Sequence, residues 1–339
     1  MSRNKIKFAV IGCGHIGKRH AEMISRNEDT ELVALCDILL EEQTGVEKFD
    51  VPYYTSIDDM FADCDIDVVS VCTPNGLHAE HSLKVLEAKK HVVCEKPMAL
   101  KKSDCEAIIF KALQVNRQVF CVMQNRYSPP AEWLKNLVES KALGDIFMVQ
   151  LDCYWNRDER YYKTNTWKGN LAMDGGVLFT QFSHFIDMMY WLFGDIYDIK
   201  GQFNNFTHTK NTEFDDSGTV SFKFLKEGIG SLNFSTSVWD KNFESSLTIV
   251  AENGTVKLGG QYMDIVEYCH VKNIEMPDLA PTNPANDYGH YKGSAANHHY
   301  VIENVVNTLK NGSTASTNAL EGMKVVEIIE RIYASKTKQ

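Results

Sequence analysis

Four short stretches carry residue types and spacings that could do chemistry. The first is Gly12-Cys13-Gly14-His15-Ile16-Gly17, a G-x-G-x-x-G run between an apolar stretch and an amphipathic one. In a strand-to-helix turn Gly12 makes the tight bend, Gly14 lets the backbone approach a pyrophosphate, and Gly17 lets helix and sheet pack closely. The N–H groups at the helix start, around His15 and Ile16, then hold the anion. Asp37 stands 20 residues after Gly17. A carboxylate there accepts from an adenosine ribose diol and repels a 2′-phosphate, which favours NAD over NADP. A glycine-rich turn beside a solvated aspartate is the plain alternative.

Thr73-Pro74-Asn75-Gly76-Leu77-His78 follows an apolar run ending at Cys72, and Glu95-Lys96-Pro97 follows the next such run. Both therefore leave strands on the same edge as the glycine loop. Thr73, Pro74, Asn75 and His78 are placed to touch a cofactor's ribose and phosphates, although a turn with a helix cap describes them as well. Pro97 should keep Lys96 extended, which sets where its side chain points. An ammonium partly out of water beside oxidised nicotinamide has a lowered pKa, suited to proton exchange with a sugar hydroxyl. From the tripeptide alone, a surface lysine in a turn fits equally. The fourth stretch, Asp174 to Asp195, opens on Gly175-Gly176 and continues with helical spacing, so that Thr180, His184 and Asp187 share a face. A lone histidine there also fits a satisfied core position. No His, Cys or carboxylate group has local metal-ligand spacing, so no metal is expected.

Elements able to position these groups are visible in the hydrophobic pattern. Up to about residue 123 short β-branched runs alternate with amphipathic stretches: Ile6 to Gly12, a helix over 15–26, Glu31 to Asp37, Asp67 to Cys72, a helix over 78–89, His91 to Glu95, a helix over 103–116, and Gln118 to Met123. Nearly all-apolar strands with helices between them imply an α/β Rossmann domain, a doubly wound parallel sheet covered on both faces. After a helix over 130–140 and the run Ile146 to Trp155, alternating strands joined by short turns follow. One pair is a hairpin turning at Gly228. This second part, 124–339, reads as an α+β domain with a large, mainly antiparallel open sheet, closed by helices over 296–310 and 318–333. The division expected is 1–123 for NAD and 124–339 for substrate and oligomerisation.

The chain of 339 residues has 35 Lys+Arg against 45 Asp+Glu, a formal net charge of −10, and 44% hydrophobic residues. That suits two soluble globular cores. It argues against nucleic-acid or anionic-membrane binding, which call for a basic face. Any bound anion must be held by local donors. Nine cysteines without a C-x-x-C pair, several inside strand-like runs, read as reduced core thiols. Only four apolar residues, Phe8 to Ile11, follow the charged start, too few for a signal peptide or a span, so a cytoplasmic protein is expected.

The order GCGHIGKRH, then CTPNGLHAEHSLKVLEAKKHVVCEKPMAL, then a Gly-Gly helix with one histidine resembles the glucose-fructose oxidoreductase, inositol dehydrogenase and MocA (Gfo/Idh/MocA) family over nearly the whole chain. The resemblance implies an NAD-dependent oxidoreductase acting on a sugar CH–OH group, with Lys96 and His184 as catalytic pair and Glu95 of the E-K-P motif beside the cofactor. Family members commonly carry D-x-G-x-H on that helix, whereas this chain has Thr180-Gln181-Phe182-Ser183-His184. Thr180 supplies no charge, so His184 should be the weaker base and Lys96 the stronger candidate.

Within the family, WKGNLAMDGGVLFTQFSHFIDMMYWLFGD and YKGSAANHHYVIENVVNTLKNG are most similar to the branch that oxidises C3 of UDP-N-acetylglucosaminuronic acid for bacterial surface polysaccharides (lipopolysaccharide O-antigen). That implies a UDP-sugar met by Tyr162, Trp167, Lys168, Thr180, Gln181, Lys292, Ser294, Asn297 and His298, and a homodimer or homotetramer. A dehydrogenase of a free sugar or polyol, an NAD-dependent glycosidase and a non-catalytic NAD-binding regulator are the other members of the fold that the residues allow.

Overall fold

The computed structural model describes residues 5–163, 167–287, 289 and 291–336. These divide into two units, Met1–Met123 with His298–Val326, and Gln124–Asn297 with Glu327–Gln339. The long helix Ala319–Ala334 is thus shared out at Val326. Residues 298–326 pack with the first unit.

In the first unit β1 (Ile6–Ile11), β2 (Thr30–Cys36), β3 (Tyr53–Tyr54), β4 (Val68–Val71), β5 (His91–Cys94) and β6 (Val119–Cys121) form one parallel sheet in the order β3-β2-β1-β4-β5-β6. This is the doubly wound order with its crevice at the carboxyl ends of β1 and β4. Every residue of β4 is buried, as a central strand covered on both faces requires. The helix His15–Arg26 follows β1 and buries Gly17, His20, Ala21 and Ile24, one stripe at helical spacing. The returning segment packs its helix His298–Asn311 against that helix. It then adds a bridge to β6, where Asn318 pairs with Phe120 and the Thr317 hydroxyl donates to the Cys121 carbonyl. Gly322 is required there, since a Cβ would come within 2.3 Å of the Cys121 sulfur.

In the second unit β7 (Ile146–Tyr154), β8 (Ile196–Asn204), β9 (Ser217–Phe224), β10 (Ile229–Ser235), β11 (Glu244–Ala251), β12 (Gly254–Gly259) and β13 (Ile265–Val271) form a seven-stranded sheet, β13-β12-β11-β7-β10-β9-β8. Every pairing is antiparallel except β7 with β10. The β9–β10 hairpin turns at Glu227 and Gly228, both with positive φ. At Gly228 a Cβ would also strike the Ile146 carbonyl at 2.5 Å. On one sheet face Leu151, Phe222, Leu232 and Phe234 are buried. The helix Ser183–Phe193 covers this face, with Phe185 edge-on to Trp155 and the preceding Phe182 against Phe234. On the other face the cross-strand neighbours Met148, Ile229 and Val250 are exposed. A short ladder of β14 (Ala285–Asp287) and β15 (Lys292–Ala295) completes the unit.

Asp187 of the covering helix is not a surface group on the face of His184. It is 1% exposed and receives two hydrogen bonds from Arg126, Nε at 2.8 Å and Nη2 at 2.5 Å, while the guanidinium lies 5.2 Å from the Trp191 ring. Removing one partner leaves a buried charge unmatched, which costs about 3–5 kcal/mol. Arg126→Met and Asp187→Asn should therefore each lower the urea unfolding midpoint sharply. The double variant Arg126→Met/Asp187→Leu should recover most of it, and urea titration followed by tryptophan fluorescence checks the order.

Candidate functional site

In the first unit the glycine loop has the geometry its chemistry calls for. Gly12 has φ +92, and a Cβ there would lie 2.7 Å from the Cys72 carbonyl oxygen. A Cβ at Gly17 would come within 1.8 Å of the Gly12 carbonyl oxygen, so β1 and the first helix meet through backbone alone. A Cβ at Gly14 would meet no atom within 4 Å, and Gly14 caps the helix without a side-chain hydrogen bond. Gly14 and His15 are exposed, and Ile16 is half-buried. Such a side-chain-free helix start, bounded by backbone alone, fits a dinucleotide's pyrophosphate. Asp37 closes the loop, accepting the Cys13 N–H at 2.6 Å and the Leu39 N–H at 3.1 Å. A carboxylate accepts about four hydrogen bonds, so capacity for a ribose diol is left.

The two loops beyond β4 and β5 are tied together by His78. Its Nδ1 lies 2.6 Å from the Pro97 carbonyl and its Nε2 2.8 Å from the Thr73 carbonyl. Burial lowers its pKa against the pull of these two acceptors. His78 therefore faces the interior and braces the loops. Thr73 and Pro74 are half-buried, with the Thr73 hydroxyl 3.0 Å from His81 Nδ1, and Asn75 is buried. Lys96 is half-buried, and its bond to Pro97 is cis.

Glu95 points inward as well. One oxygen lies 2.9 Å from His20 Nε2 and 3.6 Å from His298 Nε2, while the other accepts the Lys96 backbone N–H at 3.1 Å. Burial pushes its pKa up, but the two imidazoles outweigh that and hold it well below the usual carboxylate range. His298, expected among the substrate groups, stands in this buried cluster of the first unit. Its ligand atom, those of His20 and Glu95 lie within 4.8 Å of one another. No sequence spacing marks that set, because its members come from three remote segments.

In the second unit the structure gathers several of the residues that the family resemblance pointed to. Lys168 Nζ lies 3.8 Å from the Tyr161 ring centroid, 4.7 Å from that of Tyr291 and 3.2 Å from the Tyr291 hydroxyl. Gln181 donates to the Tyr161 hydroxyl at 2.9 Å. Thr180 donates to the Asp174 carboxylate, which also accepts the Gly169 N–H at 2.8 Å. The negative charge missing at position 180 is thus brought to its hydroxyl by Asp174. His184 is buried on the covering helix. Tyr162 is buried with its ring 5.1 Å from that of His208, and Trp167 is half-buried. Lys292 is exposed, and its part in the unit is its carbonyl, which accepts from Arg157 and Asn242. Ser294 is buried and passes its carbonyl to Asn286, and Asn297 is buried between Gln124 and Asn283.

Arg157 is the group that sequence reasoning missed. It is buried, hydrogen-bonded to the oxygens of Asn156, Asn242 and Lys292, and stacked near Trp155, Tyr161 and Tyr291 at 4.8–5.1 Å. Burial and the nearby Arg157 charge lower Lys168 to about 8, opposed by Asp174. The two cations thus share the aromatic faces of Tyr161 and Tyr291. The cue available beforehand was a basic residue two positions beyond Trp155 and just before Tyr161-Tyr162.

Two family models match the chain: the oxidoreductase family with NAD-binding Rossmann fold over residues 6–123, and the GFO/IDH/MocA C-terminal domain over residues 132–257. Inositol 2-dehydrogenase of Salmonella typhimurium is 30% identical over 198 residues, 57% of this chain and 56% of that protein. The chain thus spans little over half the length of this curated relative. Two crystal structures are similar over almost the full length. The WlbA dehydrogenase of Chromobacterium violaceum, in complex with NADH and UDP-GlcNAcA, is 30% identical with a TM-score of 0.88, covering 99% of this chain and 94% of that one. The WlbA dehydrogenase of Bordetella pertussis, with the same two ligands, is 28% identical with a TM-score of 0.86, covering 98% and 96%.

The Lys168–Arg157 pair predicts its own titration. A 13C-NMR titration of the Lys168 side chain should give a midpoint near 8, and Arg157→Gln should raise it by removing a like charge. Unfolded chain keeps this proton up to about 10.5, so Lys168 makes stability rise with pH between about 8 and 10.5.

Proposed function

The chain belongs to the Gfo/Idh/MocA oxidoreductase family, and on that premise we propose that it is an NAD-dependent sugar dehydrogenase that oxidises C3 of UDP-N-acetylglucosaminuronic acid to the 3-keto sugar. The observation that carries the choice of an acidic substrate is the Arg157–Lys168 pair, two cations in an aromatic box whose mutual repulsion an anion relieves. The likeness to WlbA structures holding UDP-GlcNAcA supports the same choice.

NAD+ supplies the hydride acceptor when bound. The glycine loop and Asp37 would hold its phosphates and adenosine ribose. Lys96, on the loop braced by Glu95 and His78, takes the proton of the sugar hydroxyl as the carbon gives up its hydride, so one hydride, carrying both electrons, and one further proton leave the CH–OH group. His184 positions that hydroxyl or relays its proton. Thr180, Gln181 and Lys168 serve the sugar, and the exposed Met148, Ile229 and Val250 support a homo-oligomer joined through the open sheet face. The inositol dehydrogenase relative favours a second reading, oxidation of a free polyol or sugar.

An absorbance assay for NADH with UDP-N-acetylglucosaminuronate, myo-inositol and glucose separates the two, the uronate being the expected substrate. Reaction with neutral free sugars only would set the UDP-uronate aside. Lys96→Ala should cut turnover by about 10² or more while the NAD dissociation constant, measured by fluorescence quenching, stays unchanged. Near wild-type turnover in that variant would remove Lys96 as the base.

A further inference from the structure

Glu95 is 5% exposed and ionised, so each of its oxygens needs donors supplied by the protein. One oxygen is hydrogen-bonded to His20 Nε2 at 2.9 Å and has His298 Nε2 at 3.6 Å, an ion-pair contact longer than a hydrogen bond. The other accepts the backbone N–H of Lys96 at 3.1 Å. The two imidazoles, both 1% exposed, stand edge to face with centroids 5.6 Å apart. His20 comes from the helix beside the glycine loop. His298 is the first residue of the helix with which the chain returns to this unit.

We propose that His298 is a positioning residue for Lys96, acting through Glu95. With His20 it sets the orientation of the carboxylate plane, and the far oxygen of that plane holds the peptide from which the Lys96 side chain departs. The inference rests on Lys96 being the base. A side chain whose root moves by about 1 Å can lose on the order of 10² in rate. The same three groups could ligate a metal, but a histidine ligand ordinarily passes its other ring N–H to an acceptor, and among the described residues His20 Nδ1 and both ring nitrogens of His298 have no hydrogen-bond partner, so His298 meets Glu95 through the 3.6 Å ion-pair contact alone.

The test compares His298→Phe, which keeps a buried ring without donors, and His298→Gln, which keeps one N–H donor. The expected result is a fall in kcat of about tenfold or more for His298→Phe, with KM for sugar and NAD+ and the NAD dissociation constant unchanged. His298→Gln should recover most of kcat at equal thermal stability. Equal kcat in the two variants, or a loss carried by KM, would overturn the proposal. So would zinc that survives dialysis against a chelator in the wild-type chain and is absent from His298→Phe. Lys96→Ala run alongside separates the two levels. If it is inactive while His298→Phe is normal, only the positioning role fails; if it is active, the base assignment fails and the positioning role with it.

Discussion

The Glu95 carboxylate, held out of water at the end of β5, has to find its donors within hydrogen-bond reach, and much of the first unit follows from how it does so. One donor lies on the helix after β1 and one is the backbone of Lys96 itself, while His298, on the helix that returns to this unit, adds an ion-pair contact at 3.6 Å. A buried charge thereby joins the cofactor helix, the chain's late segment and the loop that carries the proposed base. His78 braces the same loop from a second direction, against the carbonyls of Thr73 and Pro97. Rigid support of this kind matters for proton transfer, whose rate depends on donor and acceptor being held at contact distance.

The second unit answers the same constraint in two ways. Arg126 and Asp187 match each other inside the core, and their pairing spends itself on structure. Arg157 and Lys168 are not matched in that manner. Their hydrogen bonds go to amide and phenol oxygens, and aromatic faces supply the remaining compensation. Cations left in that state lose little by desolvation when an anion arrives, because burial has already removed their water. Asp174, behind Thr180, keeps the local charge from being purely positive and limits the repulsion.

Several of these features were legible in the residues. The alternation of apolar strands and amphipathic helices announced the parallel sheet because a strand covered on both faces has no polar side to show. Gly12, Gly14 and Gly17 announced the turn because each spacing has one steric reason, and the backbone distances at Gly12 and Gly17 bear it out. The hairpin at Gly228 was legible for the same local cause. The inward partners of Glu95, His78 and His298 were not legible, since a polar residue next to a motif looks the same whether it faces a ligand or the interior. Arg157 escaped notice because nothing local distinguishes a buried arginine from a solvated one.

What the sequence determined by itself, then, is whatever depends on neighbours along the chain: strand and helix periods, turn glycines, the family pattern and the preference for NAD carried by Asp37. What only the tertiary structure decided is which distant groups share a buried charge. The His20–Glu95–His298 cluster, the Asp174–Thr180 contact and the aromatic box around Arg157 and Lys168 bring together residues, as far apart along the chain as His20 and His298, in combinations that no local rule specifies. The physical reason is that desolvation is set by everything packed around a group, and that packing exists only once the chain has folded.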